Sequence, residues 1–168
     1  MKQVIMITGT PGTGKTTISK LLSAEGYTSI ETGKLVKEEK LYDYFDEETD
    51  SYVVNDELLN KRLIELIAQN SSTLPLVIDG HVVELPPSYV TCCIVLRCSI
   101  RHLRQRLIDR SYSATKIEEN VEAEIMEVIL TDMLYLYGPE IVDTVQSDVS
   151  IEETFQSVLD LVGKIGES

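Results

Sequence analysis

The stretch Val4-Ile5-Met6-Ile7-Thr8-Gly9-Thr10-Pro11-Gly12-Thr13-Gly14-Lys15-Thr16-Thr17-Ile18-Ser19-Lys20-Leu21-Leu22 decides the fold. An apolar run leads into Gly-x-x-x-x-Gly-Lys-Thr, and a helical pattern follows. With a buried strand before it and a helix after it, this motif is a phosphate-binding loop. The glycines permit positive φ and let backbone approach a phosphate closely. The loop amides and the N-terminus of the helix converge on the anion. The candidate nucleotide-binding residues are therefore Gly9, Thr10, Pro11, Gly12, Thr13, Gly14, Lys15, Thr16 and Thr17. Lys15 is expected to reach the β and γ phosphates, and the Thr16 hydroxyl to ligate Mg²⁺, which makes ATP and Mg²⁺ the expected cofactors. A dinucleotide fingerprint is excluded, because Gly12-Thr13-Gly14 is followed by Lys15-Thr16-Thr17 and the third glycine is missing.

Working outward from the loop, strands alternate with helices. The strands fall at about 3–8, 27–31, 76–79, 92–97 and 141–145. Helical patterns run from Gly14 to about Ala24, ended by Gly26, from about Gly33 to Lys40 with Thr32 as cap, and from Asp56 to Ala68. Further ones run from Ser99, as cap, to Arg110, as one long helix from Ile117 to Tyr137, and from Ile151 to Ile165. Residues 41–54 are rich in Asp, Glu and Tyr without a clear period and read as a loop. The expected architecture is α/β in three layers, a five-stranded parallel sheet with helices on both faces. Its ligand belongs at the carboxyl ends of the strands.

Three further places carry chemistry. Asp79 ends the short buried strand Leu76-Val77-Ile78, the place of an acid that holds Mg²⁺ through water beside Thr16. His81 follows two residues later, where it can orient water or a phosphate acceptor, or simply bond within its loop. Arg106 and Arg110 are spaced i, i+4 on one helix face, just before the polar stretch at Tyr112. Such arginines can clamp phosphates, and the plainer reading is a solvated face paired with Asp109 or glutamates. His102, Arg101 and Arg104 fit the solvated reading.

At 168 residues the chain reads as one domain. No apolar run is long enough for a transmembrane helix, and the apolar start is too short for the core of a signal peptide. Cys92, Cys93 and Cys98 lie in or beside one apolar run without metal-ligand spacing, which points to buried free thiols in a reducing compartment. The cytoplasm is the expected location, with the nucleus added for a eukaryotic source. The net charge is −13, and residues 111–168 hold 13 acidic side chains against Lys116 and Lys164. That argues against direct nucleic acid contact by this chain alone and suits a basic protein partner, although solvated acidic helices explain such charge more often. All six arginines lie between Arg62 and Arg110, forming one basic spot suited to polyphosphate.

Taken together, several stretches resemble the adenylate kinase isoenzyme 6 family, also described as small-ribosomal-subunit maturation ATPases. They are the phosphate loop, Glu38-Glu39-Lys40-Leu41-Tyr42-Asp43, Asp79-Gly80-His81, Arg106-Leu107 with Arg110-Ser111-Tyr112, and Lys116-Ile117-x-x-Asn120-x-x-x-Glu124-Ile125. The resemblance spans essentially the whole chain. It implies an adenylate-kinase-like core (about 1–31, 71–110 and 121–168), a nucleoside-monophosphate-binding insert (about 32–70) and a short lid (about 111–120). It implies phosphoryl transfer from ATP to AMP, ATP hydrolysis, and a part in maturing small-subunit ribosomal RNA through a basic small-subunit ribosomal protein. Within the insert it implies an acceptor site at Gly33, Lys34 and Lys37. The family often carries an arginine there, and Lys37 offers a point charge instead of a bidentate fork. Two other readings stand beside the kinase: an ATP-driven assembly factor with a negligible kinase role, and a P-loop kinase of another nucleotide or a small metabolite.

Overall fold

The computed structural model describes residues 4–81 and 83–166. Gln3, placed by the sequence pattern at the start of the first strand, lies outside them. The first strand, β1 (Val4–Thr8), is buried along its whole length. It leads through the phosphate loop into α1 (Lys15–Ala24), whose end is followed by Gly26 at φ +97°. Next come β2 (Ser29–Glu31), α2 (Thr32–Glu39), a hairpin of β3 (Tyr42–Asp46) and β4 (Ser51–Val54), and α3 (Asp56–Gln69). The chain continues through β5 (Leu76–Asp79), β6 (Val90–Arg97), α4 (Ile100–Asp109), α5 (Ala114–Ile125), α6 (Val128–Tyr137), β7 (Val142–Gln146) and α7 (Ile151–Gly166).

The main sheet has the order β2-β5-β1-β6-β7, with every neighbouring pair parallel. Strand alternation divides the core between its two faces. Val4 and Met6 of β1, with Cys93 and Val95 of β6, pack against Leu59, Leu63 and Ile67 of α3 and Met133 and Tyr137 of α6. Ile5 and Ile7, with Cys92 and Ile94, face Ile18 and Leu22 of α1 and Val158 and Val162 of α7. The neighbouring thiols thus enter opposite cores, and all three cysteines are buried and free. Burial of a side chain of this size contributes about 1.5–3 kcal/mol of transfer free energy. A third cluster, Leu103 and Leu107 of α4 with Ile117 and Val121 of α5, lies beneath the phosphate loop. Because β1 has β5 on one side and β6 on the other, the loop after it emerges where the strand order reverses, the place where open α/β sheets bind ligands.

The structure corrects three local expectations. Residues 42–54 form the β3–β4 hairpin instead of a loop. Its aromatic pairs, Tyr42 with Tyr52 at 4.3 Å and Phe45 with Tyr52 at 5.0 Å between centroids, hold together strands whose acidic side chains hide the alternation. Residues 117–137 form two helices, not one. The break at Glu127, with φ +54°, is held from another part of the fold: Arg97 donates to the Glu124 carbonyl at 3.2 Å and pairs with the Glu127 carboxylate at 3.3 Å. Thr32 is the first residue of α2 and not its cap, and its hydroxyl donates to the Asp79 carbonyl at 2.8 Å. Ser99 stands at the cap position of α4, but its hydroxyl meets His102 Nδ1 at 2.7 Å and makes no cap bond.

Candidate active site

Three strand ends converge on the phosphate loop. Gly9, Gly12 and Gly14 have φ of +147°, +94° and +101°, conformations that suit glycine. At Gly12 a Cβ would also lie 3.0 Å from Leu103 and 3.1 Å from Leu107, so glycine lets the loop rest directly on the third cluster. The Thr10 carbonyl ties the loop together, accepting from Thr13 N at 3.2 Å, Thr13 Oγ1 at 2.7 Å and Lys15 Nζ at 3.3 Å. Lys15 also donates to the Gly9 carbonyl at 2.8 Å, so its ammonium is folded back on its own loop. Desolvation drives its pKa down to about 8, with the charge of Arg110 adding to the fall and Asp79 and Glu124 opposing it.

Asp79 closes β5 and is 3% exposed. Among the described residues its Oδ2 has no hydrogen-bond partner. Desolvation raises its pKa, aided by the nearby Glu31 and opposed by Ser19 and Lys15. Gly80 follows because nothing larger fits: a Cβ there would stand 2.0 Å from the Thr32 hydroxyl oxygen and 2.9 Å from Val83. This is a requirement of close approach, not of positive φ. It draws the start of α2 against the strand end that carries Asp79. His81 comes next and is exposed. Desolvation, and then the charge of Lys15, holds its pKa below the ordinary histidine value.

Arg106 and Arg110 separate in role. Arg106 donates to the Gly12 carbonyl at 3.3 Å and to the Ser147 hydroxyl and carbonyl, joining the phosphate loop to the segment between β7 and α7. Arg110 lines a cavity of about 180 Å³ beside Gly14, Thr17, Ser147 and Ile151. It also lines a second cavity of about 490 Å³ between the hairpin tip at Asp50 and the segment Tyr112–Lys116. Lys116 reaches across the second cavity to the Asp50 carbonyl at 3.4 Å. Gly33, Lys34 and Lys37 are exposed on α2, the first two in its first turn and Lys37 in its last, and Lys34 pairs loosely with Glu38 at 3.8 Å. Arg104 pairs with Glu118, as a solvated face predicts.

The geometry adds residues that local patterns leave unmarked. Ser147 of the loop after the last strand, with Ile151 and Thr154 of α7, walls the first cavity, although this stretch bears no motif. Glu124 is 3% exposed and bonded to both the phosphate loop and the end of β6. Glu124 is the last-but-one residue of α5 and falls in the motif at 116–125, but nothing in the composition of this acidic helix marks it as buried.

Comparison with known proteins agrees with this geometry. A family model described as an AAA domain matches residues 5–127. The chain is 34% identical to the Caenorhabditis elegans adenylate kinase isoenzyme 6 homolog over 95% of this chain and 89% of that one. The chain belongs to the adenylate kinase isoenzyme 6 family. The Saccharomyces cerevisiae homolog FAP7 is 35% identical over 86% of this chain and 73% of its own length. The Dictyostelium discoideum homolog is 34% identical over 84% and 79%. A crystal structure of TT1252 from Thermus thermophilus superposes with a TM-score of 0.64 over 97% of both chains at 16% identity, a likeness of fold alone. No helix among the described residues is long and apolar enough to cross a membrane.

Proposed function

We propose that this member of the adenylate kinase isoenzyme 6 family transfers the γ-phosphoryl group of ATP to AMP and also hydrolyses ATP. The observation that carries this reading is the position of Arg110, on the wall of both cavities. The smaller cavity at the phosphate loop suits the donor nucleotide, and the second, between the hairpin tip and residues 110–119, lies on the other side of Arg110. An arginine between the two stands where charge develops in transfer. Residues 32–70 then serve as the acceptor-binding insert, residues 111–120 as a short lid, and the remainder as the core.

Mg²⁺ fits these residues. The buried Asp79 oxygen lacks a partner, and Thr16 is in the first turn of α1, which follows the phosphate loop. No cluster of three metal-ligating side chains occurs among the described residues, in keeping with an ion held mainly by phosphate and water. When bound, it neutralises phosphate charge. The protein's own part is to hold the phosphates on the loop amides, bring Lys15 off its carbonyls onto them, and exclude water beneath Arg110 and the lid segment.

A coupled assay with and without AMP tests the reading: strong stimulation by AMP supports the kinase, and AMP-independent turnover alone sinks it. Lys37→Ala is expected to raise KM for AMP more than for ATP, while Lys37→Arg keeps or improves AMP use. Equal effects on both substrates remove Lys37 from the acceptor site. His81→Gly is expected to keep ATP binding and lose AMP-independent hydrolysis by about 10²-fold or more, since a positioning group of this kind is worth that much. A parallel fall of both activities with a lower melting temperature assigns His81 to the scaffold instead. The family resemblance and the net charge of −13 support a further part in small-subunit ribosomal maturation with a basic ribosomal protein. Altered AMP-independent turnover on adding such a protein is its test.

A further inference from the structure

Glu124 lies on α5, away from both cavities, yet its carboxylate is among the most deeply buried charges of the described residues. One oxygen, Oε1, accepts from the Thr10 hydroxyl at 3.3 Å and lies 3.1 Å from Arg97 Nε. The other, Oε2, accepts from Cys98 N at 3.1 Å. Arg97 in turn holds the end of α5 through the Glu124 carbonyl and the Glu127 carboxylate. A buried charge is tolerated where an ion pair and hydrogen bonds surround it, and this one has two hydrogen bonds and an ion pair to Arg97, whose Nε makes no hydrogen bond.

The side chain it grips belongs to the loop residue with the most heavily used carbonyl. Thr10 O receives Thr13 N, Thr13 Oγ1 and Lys15 Nζ. Fixing the Thr10 side chain therefore fixes the direction of the carbonyl that shapes the loop and parks Lys15. At its other end α5 begins at Ser113, whose hydroxyl caps it, and it carries Lys116, which touches the hairpin tip. A rigid helix thus runs from the segment facing the second cavity to the floor of the phosphate loop.

We propose that Glu124 is a positioning residue for phosphoryl transfer, acting through Thr10 to register the phosphate loop against helix α5. The inference rests on the phosphoryl-transfer reading above. Binding of ATP draws on many loop amides and can recruit a loosened loop at small cost, whereas transfer needs its groups held closely in place. A misplacement of about 1 Å can cost about 10²-fold in rate.

The test uses the full chain below its melting temperature. Glu124→Met removes both acceptors within similar volume, and Thr10→Val removes the same hydroxyl contact from the other side. Each is expected to lower kcat by about tenfold to a hundredfold, with a much smaller change in ATP affinity. Amide hydrogen exchange across residues 9–14, measured without nucleotide, is expected to quicken in both. The double variant is expected to be no slower than the slower single one, because Glu124→Met already removes the Thr10 contact that Thr10→Val breaks. Wild-type kcat and exchange in Thr10→Val overturn the proposal even if Glu124→Met does not fold. Losses that multiply in the double variant overturn it as well. If the wild-type chain shows no transfer to AMP, the phosphoryl-transfer reading fails, and the exchange measurement still decides whether Glu124 orders the loop.

Discussion

Lys15→Ala is expected to abolish measurable phosphoryl transfer while leaving the fold in place. The ammonium touches only loop carbonyls in the ligand-free protein, and no apolar cluster depends on its side chain. Loss of one charged donor from a preorganised site costs about 10²–10³-fold in rate. This lysine also carries charge that holds the phosphates, so the loss should reach or exceed that range. Stability should change little, because two effects oppose each other. Two hydrogen bonds are lost, each worth about 1 kcal/mol. Against that, the folded state no longer has to desolvate an ammonium whose pKa has fallen from 10.5 to about 8. Between those values the unfolded chain binds more protons than the folded one, so wild-type stability rises with pH across that window. The variant should lack this rise and melt within a few degrees of wild type near neutral pH. Turnover measured beside thermal melts at several pH values checks both parts. Near-normal turnover in the folded variant would overturn the site.

The architecture was legible because its signals are local. The uninterrupted run Val4–Ile7 and the glycine spacing after it identify a buried strand and a phosphate loop without tertiary information. The five strands appear near their expected places for the same reason. What remained hidden was decided at a distance. The break at Glu127 contains neither glycine nor proline, and its cause is Arg97, thirty residues earlier on β6. The β3–β4 hairpin is held by aromatic pairs whose intervening acids blur the alternation. At the site, loop membership marked Lys15 and the strand end marked Asp79. Nothing local distinguishes Arg106, turned onto Gly12 and Ser147, from Arg110, which borders both cavities. Their i, i+4 spacing puts them on one face and both border the first cavity, but only Arg110 also borders the second.

Asp79→Asn is the second change with a large expected effect, and it should separate function from stability. In the ligand-free protein Asp79 is a buried carboxylate with one oxygen unpartnered and a pKa raised chiefly by desolvation. Its folded pKa exceeds the unfolded value of 3.8, so between the two the folded state binds more protons. Stability contributed by this group is therefore lost as pH rises through that window, and above it the folded chain carries the whole penalty. The amide is uncharged at every pH. Asp79→Asn should thus melt higher than wild type near neutral pH and lose that part of the pH dependence. It also gives up attraction to Lys15, which is smaller than the desolvation it relieves. Function should move the other way. An unsatisfied buried oxygen at the end of β5 suits a Mg²⁺ ion arriving with the nucleotide, since a buried polar atom without a partner marks a place for an ion or ligand. Turnover should fall by about 10²-fold or more, as when one preorganised electrostatic group is lost. The rise in melting temperature that Mg²⁺ with ATP gives the wild type should shrink in the variant. Melts of the ligand-free and Mg²⁺–ATP-bound proteins, taken beside the transfer assay, read all three effects. A ligand-free variant that melts below wild type, or one that keeps its turnover, refutes this account of Asp79.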